Sequence, residues 1–206
     1  SEERTRANGY KSMPETERGR RLLVDLLRSH GHELNGLPGF RTYYGEWTLS
    51  GPSGFLIPVR NKDGLIQGLK IRLDEADAPN RKYRWLSSRG LPNGTRSYSW
   101  VHVTGDRSRK CAFLTEGPLK GDVASFLAKD ELFLCICGVN ALHGLTDTIR
   151  ALGVREVVEA IGLDQMTNPN VRKAVLAMRK EVQKISAFAI QSTHGKPPAR
   201  EWTITS

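Results

Sequence analysis

The 206-residue sequence predicts an α/β protein in which a mostly parallel sheet flanked by helices follows a basic, β-rich segment. Three observations predict it. Residues 111–190 alternate short apolar strands with helices across loops of a few residues, the pattern of a parallel sheet covered on both faces. Two apolar runs at 55–60 and 66–73 flank Asp63-Gly64, whose glycine supplies the positive φ of a hairpin turn. The charge balance also breaks near residue 110: residues 1–110 hold 20 basic and 12 acidic side chains, and residues 111–206 hold 11 and 10.

In chain order, residues 1–34 read as a leader and an N-terminal helix. Residues 1–13 are polar and aperiodic, as in a frayed leader. From Pro14 a helix is expected, capped by Thr16, with Leu22, Leu23, Leu26 and Leu27 as its apolar stripe and an end near Gly31. Arg18, Arg20, Arg21 and Arg28 would mostly face water. Residues 35–110 form the basic β-rich subdomain, with strands at 55–60, 66–73, 83–86 and 100–103 and a loop at 89–94. From Gly68 onward, alternation puts Lys70 and Arg72 on one face and Leu69, Ile71 and Leu73 on the other. Residues 111–206 form the α/β domain. Its strands fall at 112–115, 132–137, 156–161 and 185–190, and its helices at 119–129, 142–152 and 169–184. The tail from Gln191 is loop-like, with at most a short strand near Trp202.

Composition excludes several classes. No run approaches the roughly 18 apolar residues of a membrane span, and the start lacks an apolar signal core. Cys111, Cys135 and Cys137 form no Cys-x-x-Cys pair and no disulfide framework, which fits a reducing cytoplasm. Ser1 in place of methionine suggests a piece of a longer chain. The basic first half suits a polyanionic partner, and equally a surface kept soluble by arginines.

In an open parallel sheet, ligands bind beyond the carboxyl ends of the strands. Those positions carry Glu116-Gly117-Pro118, Cys137-Gly138 and Gly162-Leu163-Asp164, the last followed by Asn168. Glu116 and Asp164 belong on one edge, where paired carboxylates suit a hard divalent cation. They also suit helix capping, which position alone favours. Lys70, Arg72, Lys82 and Arg84 suit a nucleic-acid groove or a solvated sheet face. Trp85 and Trp100 suit base stacking or the core, and buried thiols are the simpler reading of Cys135 and Cys137. His102, His143 and His194 show no metal-ligand spacing.

A family resemblance bears on this choice. The segment from Phe113 through Thr115-Glu116-Gly117-Pro118 to Asp122 resembles the first motif of the toprim domain, shared by bacterial primases, topoisomerases and a group of nucleases. Gly138 resembles the glycine closing the second strand of that domain. Gly162-Leu163-Asp164-Gln165-Met166-Thr167-Asn168-Pro169-Asn170-Val171 resembles its Asp-x-Asp segment, in the version found in primase-like proteins of phages, plasmids and integrative elements. Asp164 matches the second aspartate, and Gly162 stands where the first is expected. Independently, Ile57-Pro58-Val59-Arg60, Gly64, Gly68, Arg72 and Lys82-Tyr83-Arg84-Trp85 resemble the basic part of the bacterial primase core that precedes toprim and helps form the template groove. The two resemblances span roughly residues 50–175, in the family's order.

The resemblance implies a toprim-like catalytic module of a mobile-element DNA primase or replication protein. Glu116 and Asp164 would be catalytic, and with Asn168 would hold Mg²⁺ or Mn²⁺, weakly if the site is degenerate. Arg60, Lys70, Arg72, Lys82, Arg84 and Lys120 would contact nucleic acid or phosphate. Implied partners are DNA (single-stranded above all), nucleoside triphosphates, and other replication proteins or domains of a longer chain, with no membrane. A toprim nuclease, and a non-catalytic DNA-binding module with a lost aspartate, are the alternatives.

Overall fold

The computed structural model describes residues 2–76, 82–138, 142–161, 169–185 and 189–192. They form two compact units. One comprises the described residues up to Arg60 and those of Leu65–Ser99; the other comprises Asn61–Gly64 and the described residues from Trp100 onward. No described helix is long and apolar enough to cross a membrane.

The first unit opens with α1 (Glu2–Asn8), β1 (Lys11–Ser12) and α2 (Glu17–Ser29), followed by the hairpin of β2 (Phe40–Tyr43) and β3 (Glu46–Leu49). Strands β4 (Gly54–Arg60), β5 (Ile66–Leu73) and β6 (Tyr83–Trp85) complete it. Among the described residues the sheet order is β1-β4-β5-β6, all antiparallel. The β4–β5 hairpin is the one expected around Asp63-Gly64, with Gly64 at φ 84°.

Residues 2–13 are not a frayed leader. β1 pairs with β4, Met13 N donates to Gly54 O at 2.8 Å, and the Met13 side chain is buried with Leu49, Leu56, Ile71 and Leu86. One well-placed apolar residue anchors a stretch that shows no periodicity.

The leucine stripe expected on α2 also differs from what forms. Thr16 caps the helix as expected, its Oγ1 accepting from Gly19 N at 3.1 Å, but the buried residue is Val24, and Leu22 and Leu26 are exposed. Arg20 explains the rotation. Rather than facing water, its guanidinium donates to Pro14 O, Leu49 O and Gly51 O at 3.0, 3.3 and 2.9 Å. Those bonds turn the Arg20 side of the helix inward.

The second unit runs β7 (His102–Thr104), β8 (Cys111–Glu116), α3 (Pro118–Leu127), β9 (Phe133–Ile136), α4 (Leu145–Leu152), β10 (Glu156–Glu159), α5 (Pro169–Gln183) and β11 (Ala189–Ser192). The sheet order is β11-β10-β8-β9-β7 among the described residues. Its first four strands are parallel, as the alternation of strands and helices predicts, and β7 joins β9 antiparallel. The strand expected near 100–103 thus belongs to this sheet rather than to the β-rich segment. Of the strand expected at 185–190, Ala189 and Ile190 lie in β11, Ile185 follows α5 in a turn with its N–H bonded to Val182 O, and residues 186–188 lie outside the described residues. The strand expected near Trp202 lies outside the described residues. Ala112, Leu114, Leu134, Ile149, Val157 and Met178 form the core between sheet and helices.

Helix α3 lies close on the sheet because Gly121 has no side chain: a Cβ there would collide with Cys135 Sγ of β9. One residue on, Asp122 Oδ1 meets His102 Nε2 of β7 at 3.1 Å, both side chains buried. Gly121→Ala is expected to destabilise the protein by about 1–3 kcal/mol, the range for overpacking a filled core. Adding Cys135→Ala should recover part of that loss by removing the obstructing sulfur. Urea unfolding of the two variants and the parent checks both expectations.

Candidate functional site

The parallel ladder brings the carboxyl ends of β8, β9 and β10 to one edge. Glu116 is the last residue of β8, half-buried and paired in register with Ile136. Gly117 at φ 82° reverses the chain there, and Pro118 opens α3 with its fixed φ. Gly117 N donates to Ile136 O, and Ala160 N to Leu114 O, each at 2.8 Å, so β8 stays flanked by both neighbours up to the edge. The chain leaves β10 beside Glu116, toward the segment that contains Gly162, Asp164 and Asn168. That segment, 162–168, lies outside the described residues.

Lys120 is exposed in the first turn of α3. Asp122, at the end of the same motif, is turned inward to His102 and takes no place on the edge. Burial pushes the Cys135 thiol well above its ordinary value, with the nearby Asp122 and Cys137 adding to the rise. Cys135 and Cys137 are both buried, as the sequence suggests. Among the described residues, no group of three or more His, Cys, Asp or Glu side chains is placed to hold a metal ion.

The cations expected on the first unit divide into three environments. Residues directly paired across an antiparallel ladder share a face. Register therefore puts Lys70 beside Trp85 and Ile57, and Arg72 beside Tyr83 and Phe55, on one face. Lys70 is only 9% exposed, its ammonium 5.4 Å from the Tyr83 ring centroid and 5.8 Å from that of Trp85. Arg72 is exposed. Arg84 pairs with Ile71 and so lies on the opposite face, the one that carries the apolar core. It does not join Lys70 and Arg72. Lys82 is exposed just before β6. Arg60 Nη2 donates to Asn8 O at 3.3 Å, which ties α1 to β4.

Sequence reasoning missed three features. The β2–β3 hairpin carries a cation–aromatic group, Arg41, Tyr43 and Tyr44, whose only sequence signal is the glycine after Tyr44. The His102–Asp122 pair leaves no local pattern, since its partners lie 20 residues apart. The third is Glu159, at the carboxyl end of β10 and buried, which accepts from Arg179 Nε and Nη2 at 2.8 and 3.1 Å. Those hydrogen bonds raise the Arg179 guanidinium above its ordinary value against the opposing effect of burial.

No family model and no curated protein sequence matches the chain. Among solved structures, its fold is similar to the zinc-binding and RNA polymerase domains of Aquifex aeolicus primase, at 14% identity over 93% of this chain and 46% of that one, TM-score 0.65. It is similar to the RNA polymerase domain of Mycobacterium tuberculosis primase DnaG, at 18% identity over 96% and 66% of the two chains, TM-score 0.62. It is similar also to the DnaG primase catalytic domain bound to ssDNA, at 14% identity over 96% and 62%, TM-score 0.61. The fold is of the primase catalytic-core type. The chain spans about half to two-thirds of the length of these structures.

The Glu159–Arg179 pair joins β10 to α5 on either side of the segment that carries Asp164. Removing the cation takes two charge-assisted hydrogen bonds from a buried carboxylate. Arg179→Ala is expected to cost about 3 kcal/mol, the lower end for a buried pair, because Arg179 keeps 30% of its side chain in water. Chemical denaturation measures the loss, and Glu159→Gln with Arg179→Ala should lose less than Arg179→Ala alone.

Proposed function

We propose that this chain is the catalytic-core part of a DNA primase or replication protein of mobile-element type, with a toprim-like second unit and a DNA-binding first unit. The observation that carries the reading is the fold itself: 93–96% of the chain superposes on primase catalytic cores, with Glu116 at the carboxyl edge of the parallel sheet. The aromatic–cationic face of Lys70, Arg72, Tyr83 and Trp85 supports single-stranded DNA as partner. Aromatic rings accept unpaired bases and the cations accept phosphates.

The donor set suits a hard cation. Glu116 is half-buried at the edge from which β10 leads toward Asp164 and Asn168, and all three offer oxygen. Those residues would hold Mg²⁺ or Mn²⁺, which when bound neutralises triphosphate charge for nucleotidyl transfer. Lys120, in the first turn of α3, would hold phosphate oxygens beside the unpaired amides of the helix start. Gly117 fixes the direction in which Glu116 enters that space. With Gly162 where relatives carry an aspartate, the site has one carboxylate fewer, so a DNA-binding module without catalysis is the second reading. A primer-synthesis assay on a single-stranded template, with supercoiled-plasmid nicking as control for a nuclease, separates the activities.

Two outcomes test the parts. Binding to single-stranded DNA should weaken as salt rises, with a log–log slope of about −0.7 per phosphate neutralised. Arg72→Gln should make the slope shallower, and Arg84→Gln, on the other face, should leave it unchanged. Equal effects from both would remove the sheet face from the interface. For the metal, Gly162→Asp should raise Mn²⁺ affinity in calorimetric titration, and Glu116→Gln in that background should lower it again. A folded Gly162→Asp protein with no gain would leave the non-catalytic reading standing.

A further inference from the structure

The β2–β3 hairpin breaks a local rule at its tip. Its two-residue turn, Tyr44-Gly45, has φ of 47° and 83°, the doubly left-handed geometry that favours asparagine, aspartate or glycine at the first position. A tyrosine there is disfavoured by its Cβ. Burial does not offset this, because Tyr44 is 90% exposed, the highest among the exposed large hydrophobic residues described. Folding gains little from this ring, so a partner outside the chain is the better account of it.

The ring is nevertheless held in place. Tyr43, itself 49% exposed, meets Tyr44 edge-to-face with centroids 4.5 Å apart. The Arg41 guanidinium sits 4.9 Å from the Tyr43 centroid, and its Nε is buried with no hydrogen-bond partner among the described residues. The stem of the hairpin is tied to the neighbouring loop: Thr42 N donates to Pro92 O at 2.9 Å, and Asn93 Nδ2 to Thr42 Oγ1 at 3.0 Å. That loop leads to a second cation–aromatic pair, with Arg96 4.4 Å from the centroid of the exposed Tyr98 ring.

We propose that the hairpin tip is a stacking platform on which Tyr44 receives an unpaired base of a single-stranded nucleic acid. The proposal rests on the reading of the first unit as a nucleic-acid binder, and adds a contact distinct from the Lys70–Arg72 face. The hairpin and the loop each carry a guanidinium against a phenol ring, which suits a single strand, since every base offers a π-face and every link a phosphate. With 90% of the residue exposed, both faces of the ring are within reach of a base.

The test uses the whole chain with two fluorescent oligonucleotides of equal length, oligo-dT and its abasic counterpart, which carry the same charge. The parent protein should prefer oligo-dT. Tyr44→Gly should lower oligo-dT affinity by roughly 5- to 150-fold, the range for losing one stacked base, and leave abasic binding and the salt slope unchanged. Tyr44→Trp should retain the preference. Tyr44→Gly should also melt no lower than the parent, since glycine accepts the left-handed turn, and Tyr44→Asn repeats the test should the glycine variant misfold. Folded Tyr44→Gly or Tyr44→Asn protein that binds oligo-dT as tightly as the parent overturns the platform alone. A parent that binds neither oligonucleotide overturns the nucleic-acid reading, and the platform with it.

Discussion

The central position of β8 in the parallel ladder is the constraint on which the second unit depends. Leu114 is paired with Leu134 of β9 on one side and Glu159 of β10 on the other, so three strand ends are fixed at one edge by backbone bonds. Helix α3 must then return across β8 and β9 with almost no clearance, and Gly121 against Cys135 permits that. Glu116 takes its position from both demands. Its backbone is fixed by the ladder, and the turn after it is fixed by a helix that has one place to lie. The carboxylate therefore stands on a rigid strand end, which is what a site that must hold charge in a set direction needs.

The first unit solves a different problem with the four-stranded antiparallel sheet. One face buries Leu56 and Ile71 with Met13, Leu49 and Leu86. The other carries Lys70 and Arg72 among Phe55, Tyr83 and Trp85. Lys70 is instructive because it is a lysine that is nearly buried. Its ammonium lies 5.4 and 5.8 Å from the ring centroids of Tyr83 and Trp85, whose π-faces compensate part of the lost hydration. Such a cation is positioned before any partner arrives, in contrast to a freely rotating surface lysine.

Much of this was legible in the sequence, for physical reasons that can be named. Strands and helices of the second unit follow from hydrophobic runs of the right length, and Glu116 from its place after such a run and before Gly117-Pro118. The β4–β5 hairpin follows from Asp63-Gly64. What stayed hidden depends on pairing across distance. Alternation shows that Lys70 and Arg72 share a face, but the face of Arg84 depends on the register between β5 and β6, which no local pattern encodes. Arg20 was misjudged because periodicity weighs apolar side chains and is blind to a guanidinium that finds three carbonyls. Tyr44 was missed because an aromatic residue is the opposite of what a tight turn advertises.

The placement of Arg84 has a consequence for solubility rather than for recognition. β6 ends its sheet among the described residues, and a border strand is where another chain could add to a sheet. The strand is three residues long, Arg84 stands in its middle, and Lys82 precedes it. At the far side of the sheet, β1 is two residues long and begins with Lys11. Short length and positive charge at both borders oppose edge-to-edge pairing between copies, because two such borders would repel before enough hydrogen bonds could form. Three of the arginines and lysines that give this sequence its basic character, Lys11, Lys82 and Arg84, would then keep its molecules apart.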